Sequence, residues 1–90
     1  MSQIRASHIL VETHDQATAI RAQAINGVSF EDLAKEHSKC PSKAQGGDLG
    51  QFGPGQMVKP FEDAAMATGL NQISEPVQTQ FGWHVIKRTA

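Results

Sequence analysis

The 90-residue sequence predicts an α+β domain built on a mostly antiparallel sheet, with its elements in the order βααβαββ. Three observations lead there. β-rich runs stand at both ends, over residues 4–11 and 83–88. Helical spacing of apolar residues recurs in three stretches between them. Glycine and proline punctuate the joints, and a hairpin-like pair of extended segments comes last.

The first strand runs from Ile4 to Val11, with Ala6, His8 and Leu10 on one face and Ser7, Ile9 and Val11 on the other. Helix 1 is predicted over residues 15–25, because Ala17, Ile20 and Ala24 recur at helical spacing and Asn26-Gly27 supplies a stop. Ser29 caps helix 2, with Asp32 as its capping-box partner and Phe30, Leu33, Ala34 and His37 as its stripe. Residues 38–44, punctuated by Pro41, read as irregular or as a single turn, so the helices before the second strand number two or three. A short strand fits residues 49–52, followed by a turn at Gly53-Pro54-Gly55. Pro60 suits the first turn of the next helix, which places Phe61, Ala64, Ala65 and Thr68 on one face and ends at Gly69. Residues 73–77 are extended, and Pro76 confines them to a sheet edge. Residues 83–88 form the last strand, entered through Gly82.

Ninety residues bound the rest: one domain spanning residues 1–90, with a thin core that buries roughly 60–65% of the unfolded surface. A net charge of −1 argues against bulk binding of nucleic acid. No run approaches the ~20 apolar residues of a membrane span. The start, Met1-Ser2-Gln3-Ile4-Arg5, carries no basic-then-apolar leader. Cys40 is the only cysteine, which forbids an internal disulfide and fits a reducing compartment. The expectation is a complete cytoplasmic protein, monomeric because no exposed apolar stripe demands a partner.

Candidate chemistry centres on two imidazoles. His8 and His84 lie in apolar runs at opposite ends of the chain, so one sheet would bring them together. They read either as a satisfied core pair or as the floor of a site. No carboxylate or cysteine stands at ligand spacing from either one, so no metal and no cofactor is expected. The segment from Gly46 to Met57 lacks the Gly-Lys-Ser/Thr of a phosphate loop. It reads as a flexible surface loop, or as backbone folded tightly over an apolar floor of Leu49, Phe52 and Met57. Met57 and Phe61 suit either core or a pocket for a small apolar ring; the loop-rim position of Met57 favours the pocket. His14 and His37 are assigned no role. Lys35, Lys39 and Lys43 recur every fourth residue, as a solvated face or as partners for an acidic substrate residue.

Taken in order, Ser7-His8-Ile9-Leu10-Val11, Phe30-Glu31-Asp32-Leu33-Ala34 with His37-Ser38, Gly46-Gly47-Asp48-Leu49-Gly50, Gly55-Gln56-Met57-Val58-Lys59-Pro60-Phe61, Glu75-Pro76-Val77 and Phe81-Gly82-Trp83-His84-Val85-Ile86 resemble the parvulin family of peptidyl-prolyl cis/trans isomerases over nearly the whole chain. The resemblance implies a four-stranded antiparallel sheet wrapped by helices. It implies a proline pocket made by Leu49, Met57 and Phe61 with Phe52 beside them, and a catalytic set of His8, Cys40, Thr79 and His84. Thr79 matches the hydroxyl that bonds to the histidine pair. Cys40 matches a position that is either Cys or Asp, which speaks against an obligatory covalent step. The implied activity is noncovalent rotation about Xaa-Pro bonds in proline-containing peptides and in unfolded or partly folded proteins, assisting their folding. Phosphate-directed members carry a long basic loop after the first strand; here residues 11–15 run straight into helix 1 with two acids and no Lys or Arg. No preference for phosphoserine- or phosphothreonine-proline is therefore expected. The alternatives are a noncatalytic chaperone module that binds proline peptides, and a Cys-His hydrolase, for which no oxyanion hole or orienting Asn or Asp is evident.

Overall fold

A computed structural model describes residues 3–90 of the chain; Met1 and Ser2, which belong to the stretch read above for a leader, lie outside the described residues. Strand β1 (Ile4–Val11) leads through Glu12 and Thr13 into α1 (His14–Ile25), followed by α2 (Phe30–His37) and a 3₁₀ helix (Pro41–Gln45). Then come β2 (Asp48–Phe52), α3 (Lys59–Ala67), β3 (Val77–Thr79) and β4 (Gly82–Arg88). The strands form one antiparallel sheet in the order β2-β1-β4-β3. The first and last strands are thus its two central members. Their pairing sets Leu10 opposite His84 and His8 opposite Ile86. The chain ends meet as well, since Thr89 and Ala90 donate backbone hydrogen bonds to the Arg5 carbonyl.

Alternation along the strands divides the core. Ile9, Val11 and Val85 face α1 and α2, where Ala17, Ile20, Phe30, Leu33 and Ala34 are buried against them. Ile4, Ala6 and Ile86 face the other way, onto Phe52 and onto Phe61 and Ala65 of α3. His8 and His84 share this second face. Burying apolar side chains on both faces of one sheet lets so short a chain hold a core.

Local departures from the predicted elements have local causes. Helix α1 starts one residue early, because Thr13 and Gln16 close a capping box: Thr13 Oγ1 accepts from Gln16 N–H while Gln16 Oε1 accepts from Thr13 N–H. Ser29 caps α2 by accepting from Asp32 N–H, but its hydroxyl donates to Glu31 Oε1 and the Asp32 carboxylate does not complete the box. His37 leaves the predicted stripe, exposed beside Glu36. The lysine stripe also breaks. Helix α2 ends at His37, and Ser38 turns extended while its hydroxyl accepts from the N–H groups of Leu10 and Cys40. Helix α3 stops at Ala67, with Thr68 as its cap, so Gly69 lies just beyond it. The edge strand begins later than predicted. Ile73 bridges Lys87, and Ser74 bonds to both Ile86 backbone groups, but Glu75-Pro76 interrupts the ladder until Val77.

Candidate active site

The site forms where β1, β4, the 38–41 segment and the N-terminus of α3 converge on one face of the sheet. His8 and His84 are diagonal neighbours across the central strand pair. Their rings stack at 5.1 Å and 17°, with the two Nδ1 atoms 2.9 Å apart. One of those nitrogens donates a proton and the other accepts it with a lone pair, so the two rings cannot both be charged while the bond exists. The outer nitrogen of His84 lies 2.7 Å from Thr79 Oγ1, and Phe81 N–H donates to the same hydroxyl at 3.1 Å. The chain Phe81, Thr79, His84, His8 ends at His8 Nε2, which is buried without a protein partner.

Electrostatics agree with neutral rings. Burial first, and then repulsion from a charged His84, push His8 down to about 4; burial does the same to His84, also to about 4. In the unfolded chain both rings titrate near 6.5. As pH falls below that value the unfolded state takes up protons that the folded state refuses until about pH 4. The stabilising contribution is therefore complete above pH 6.5 and is lost on acidification. Urea unfolding is expected to give a protein less stable at pH 4.5 than at pH 7.5, by about 5 kcal/mol for the two rings together. Equal stability at the two values would show that the folded rings accept protons freely.

Phe61 stands edge-on to both imidazoles, at 5.4 Å and 84° to His8 and 5.2 Å and 80° to His84. It forms the base of an apolar cavity of about 530 Å³ whose wall includes Leu49, Met57, Cys40 and both imidazoles. Pro60 at the start of α3 fixes the helix N-terminus, and with it the placement of Phe61. Seven of the eight residues named from sequence therefore gather here: six line the cavity, and Thr79 bonds to the pair from behind. Phe52 does not line it. At 2% exposure it is core, tilted against Phe61 at 6.1 Å, so it supports the base rather than touching a ligand.

Leu10, Val58, Phe81 and Lys39 also line the cavity and were not picked from sequence as pocket residues. Leu10 had a signal, since it shares His8's face two residues on. Phe81, 63% exposed, sits in the β3–β4 turn, and only the fold folds that turn over the mouth. Among the described residues no group of three or more metal-ligating side chains converges. No helix of the structure is long and apolar enough to cross a membrane.

Comparisons with known proteins place this geometry. A family model described as Rotamase, PPIC-type PPIASE domain, matches residues 7–90. Foldase protein PrsA of Geobacillus sp. (strain WCH70) is 52% identical over 87 residues, covering 96% of this chain and 32% of that protein. Foldase protein PrsA of Bacillus subtilis (strain 168) is 47% identical over 87 residues, covering 96% and 30%. The chain thus spans about a third of the length of these foldases. The solution structure of NmPin, the parvuline of Nitrosopumilus maritimus, matches with a TM-score of 0.91 and 44% identity over 100% of this chain and 98% of that one.

Proposed function

The chain belongs to the PPIC-type peptidyl-prolyl isomerase family, the parvulins, and from that membership we propose that it accelerates cis–trans rotation about Xaa-Pro bonds by holding the proline ring in the cavity over Phe61. The carrying observation is an apolar hollow of about 530 Å³ walled on one side by two buried, neutral imidazoles.

The chemistry follows from the amide. Resonance makes the C–N bond stiff, with a barrier of about 18–20 kcal/mol. Rotation breaks that resonance, so the twisted state is less polar than either planar isomer. Apolar walls at Leu49, Met57 and Phe61 therefore favour the twisted state over the planar ones, which is the differential binding that catalysis requires. A thousandfold acceleration needs about 4 kcal/mol. No proton moves and no covalent bond forms. The His8–His84–Thr79 network shapes the floor, and Cys40 stands in the wall beside the reacting bond, tuning its polarity.

NMR exchange between the cis and trans signals of a short Ala-Pro peptide tests the proposal, with Cys40→Asp and Cys40→Ser measured beside the unaltered protein. Exchange is expected to accelerate strongly, and the Asp variant is expected to retain activity within about tenfold, which excludes thiol addition. Binding without faster exchange would instead favour a chaperone module that only holds proline segments. Two inactive but folded Cys40 variants would overturn the noncovalent mechanism.

The substrates proposed are proline-bearing peptides and unfolded or partly folded chains, without a need for phosphorylation. Only Glu12 and Thr13 connect β1 to α1, a connection too short and too acidic to form a phosphate clamp. Cytoplasmic residence, supported by the lone thiol, and a monomeric state complete the proposal.

A further inference from the structure

One charged side chain, the exposed Lys39, is among the residues that line the cavity, next to Cys40; it also borders a second hollow beside Val11, Gln16 and His37. The other lining residues are apolar, amide-bearing or neutral imidazole. The root of Lys39 is fixed, because its backbone N–H donates to the Leu10 carbonyl at 2.8 Å. The flanking Ser38 hydroxyl binds the Leu10 and Cys40 N–H groups, which ties the same segment to β1 a second time. Its ammonium is not free. Lys39 Nζ lies 3.0 Å from Glu12 Oε1, and Glu12, the residue after β1, does not itself line the cavity.

A peptide whose proline ring sits over Phe61 must carry its flanking residues out through this mouth. An unpaired ammonium there would attract an acidic neighbour of proline and repel a basic one. Glu12 cancels that field. We infer that the Glu12–Lys39 pair is a specificity device: Glu12 is a positioning residue that withholds Lys39 from the substrate, so the enzyme serves prolines whatever the charge of the adjacent residue. The inference rests on the proposed isomerase reading.

Both side chains are largely exposed, at 54% for Lys39 and 68% for Glu12, so charge-neutral replacements are compatible with the fold. The test compares exchange enhancement on Glu-Pro and Ala-Pro peptides at low salt, with melting curves to verify folding. For the unaltered protein the Glu-to-Ala ratio is expected to lie within about twofold of one. Glu12→Gln is expected to raise that ratio about threefold to tenfold, leaving Ala-Pro turnover unchanged. About 1 M salt should erase the gain, since screening then acts over about 3 Å. Adding Lys39→Gln to Glu12→Gln should return the ratio to its starting value. An unchanged ratio in Glu12→Gln overturns the inference, as does a gain that survives the loss of Lys39. Absence of acceleration on every peptide by the unaltered protein would instead sink the isomerase reading.

Discussion

Replacing Phe61 with alanine is expected to slow Xaa-Pro exchange by about a hundredfold or more, equivalent to about 2.7 kcal/mol of lost discrimination between twisted and planar amide. Phe61 is 3% exposed and contacts both imidazoles edge-on while resting on Phe52. Its removal takes away the base of the cavity and one wall of the histidine pair together. The same substitution should destabilise the protein by about 3–5 kcal/mol, as for other buried Phe→Ala changes. Because a thin core tolerates such a loss poorly, Met57→Ala is the cleaner partner experiment. Met57 is only half-buried, on the loop before α3, so its truncation should cut turnover at least about tenfold while shifting the melting temperature by a few degrees. Folded forms of both variants that turn over at the original rate would show that the ring is gripped elsewhere.

Gly47→Ala should also damage stability severely, at about 3 kcal/mol or more. Gly47 adopts φ +87°, and a Cβ there would collide with the carbonyl oxygen of His8 and approach the Ala34 methyl to 3.2 Å. The close approach has a purpose: His8 N–H donates to the Gly47 carbonyl at 2.9 Å, so the glycine backbone clamps the strand that carries the imidazole. Gly50 is the internal control. It has φ +73° but open space around its Cβ position, so Gly50→Ala should cost only about 1–2 kcal/mol from backbone conformation. A fall in melting temperature of about 12 °C or more for Gly47→Ala, against less than about half that for Gly50→Ala, is the expected pattern. Equal effects would mean that the backbone yields and the clamp is dispensable.

These cases also mark how far the sequence could be read. Strand β1 and the stripe of α2 were legible because period-2 and period-3.6 patterns report directly on burial. The histidine pair was legible once the two runs around it read as neighbouring strands; the side on which Leu10 and His84 meet follows from parity along each strand. Phe52 was misplaced because an apolar residue in a glycine-rich segment reads the same whether it floors a pocket or is covered by Phe61 of α3. The edge strand was set too early because Pro76 breaks a ladder without ending the extended path on either side of it. The Thr13 cap was passed over in favour of Asp15, although Thr13 and Gln16 carry the T-x-x-Q spacing of a capping box. Phe81 was beyond reach, since it arrives at the mouth through a turn whose path depends on tertiary contacts; Lys39 was read only as one of three lysines that could face solvent or an acidic substrate residue, because the pattern did not show where α2 ends.

The bond between His8 and His84 spans 76 positions of the chain. Few features of so small a fold are less local. The entropy of closing that long loop must be met before the two imidazoles can touch, and the pair forms only in a polypeptide that already includes β4. A nascent chain still short of its final strand has neither half of the central sheet complete and no cavity to offer. On the proposed isomerase reading, turnover therefore waits until β4 has paired with β1.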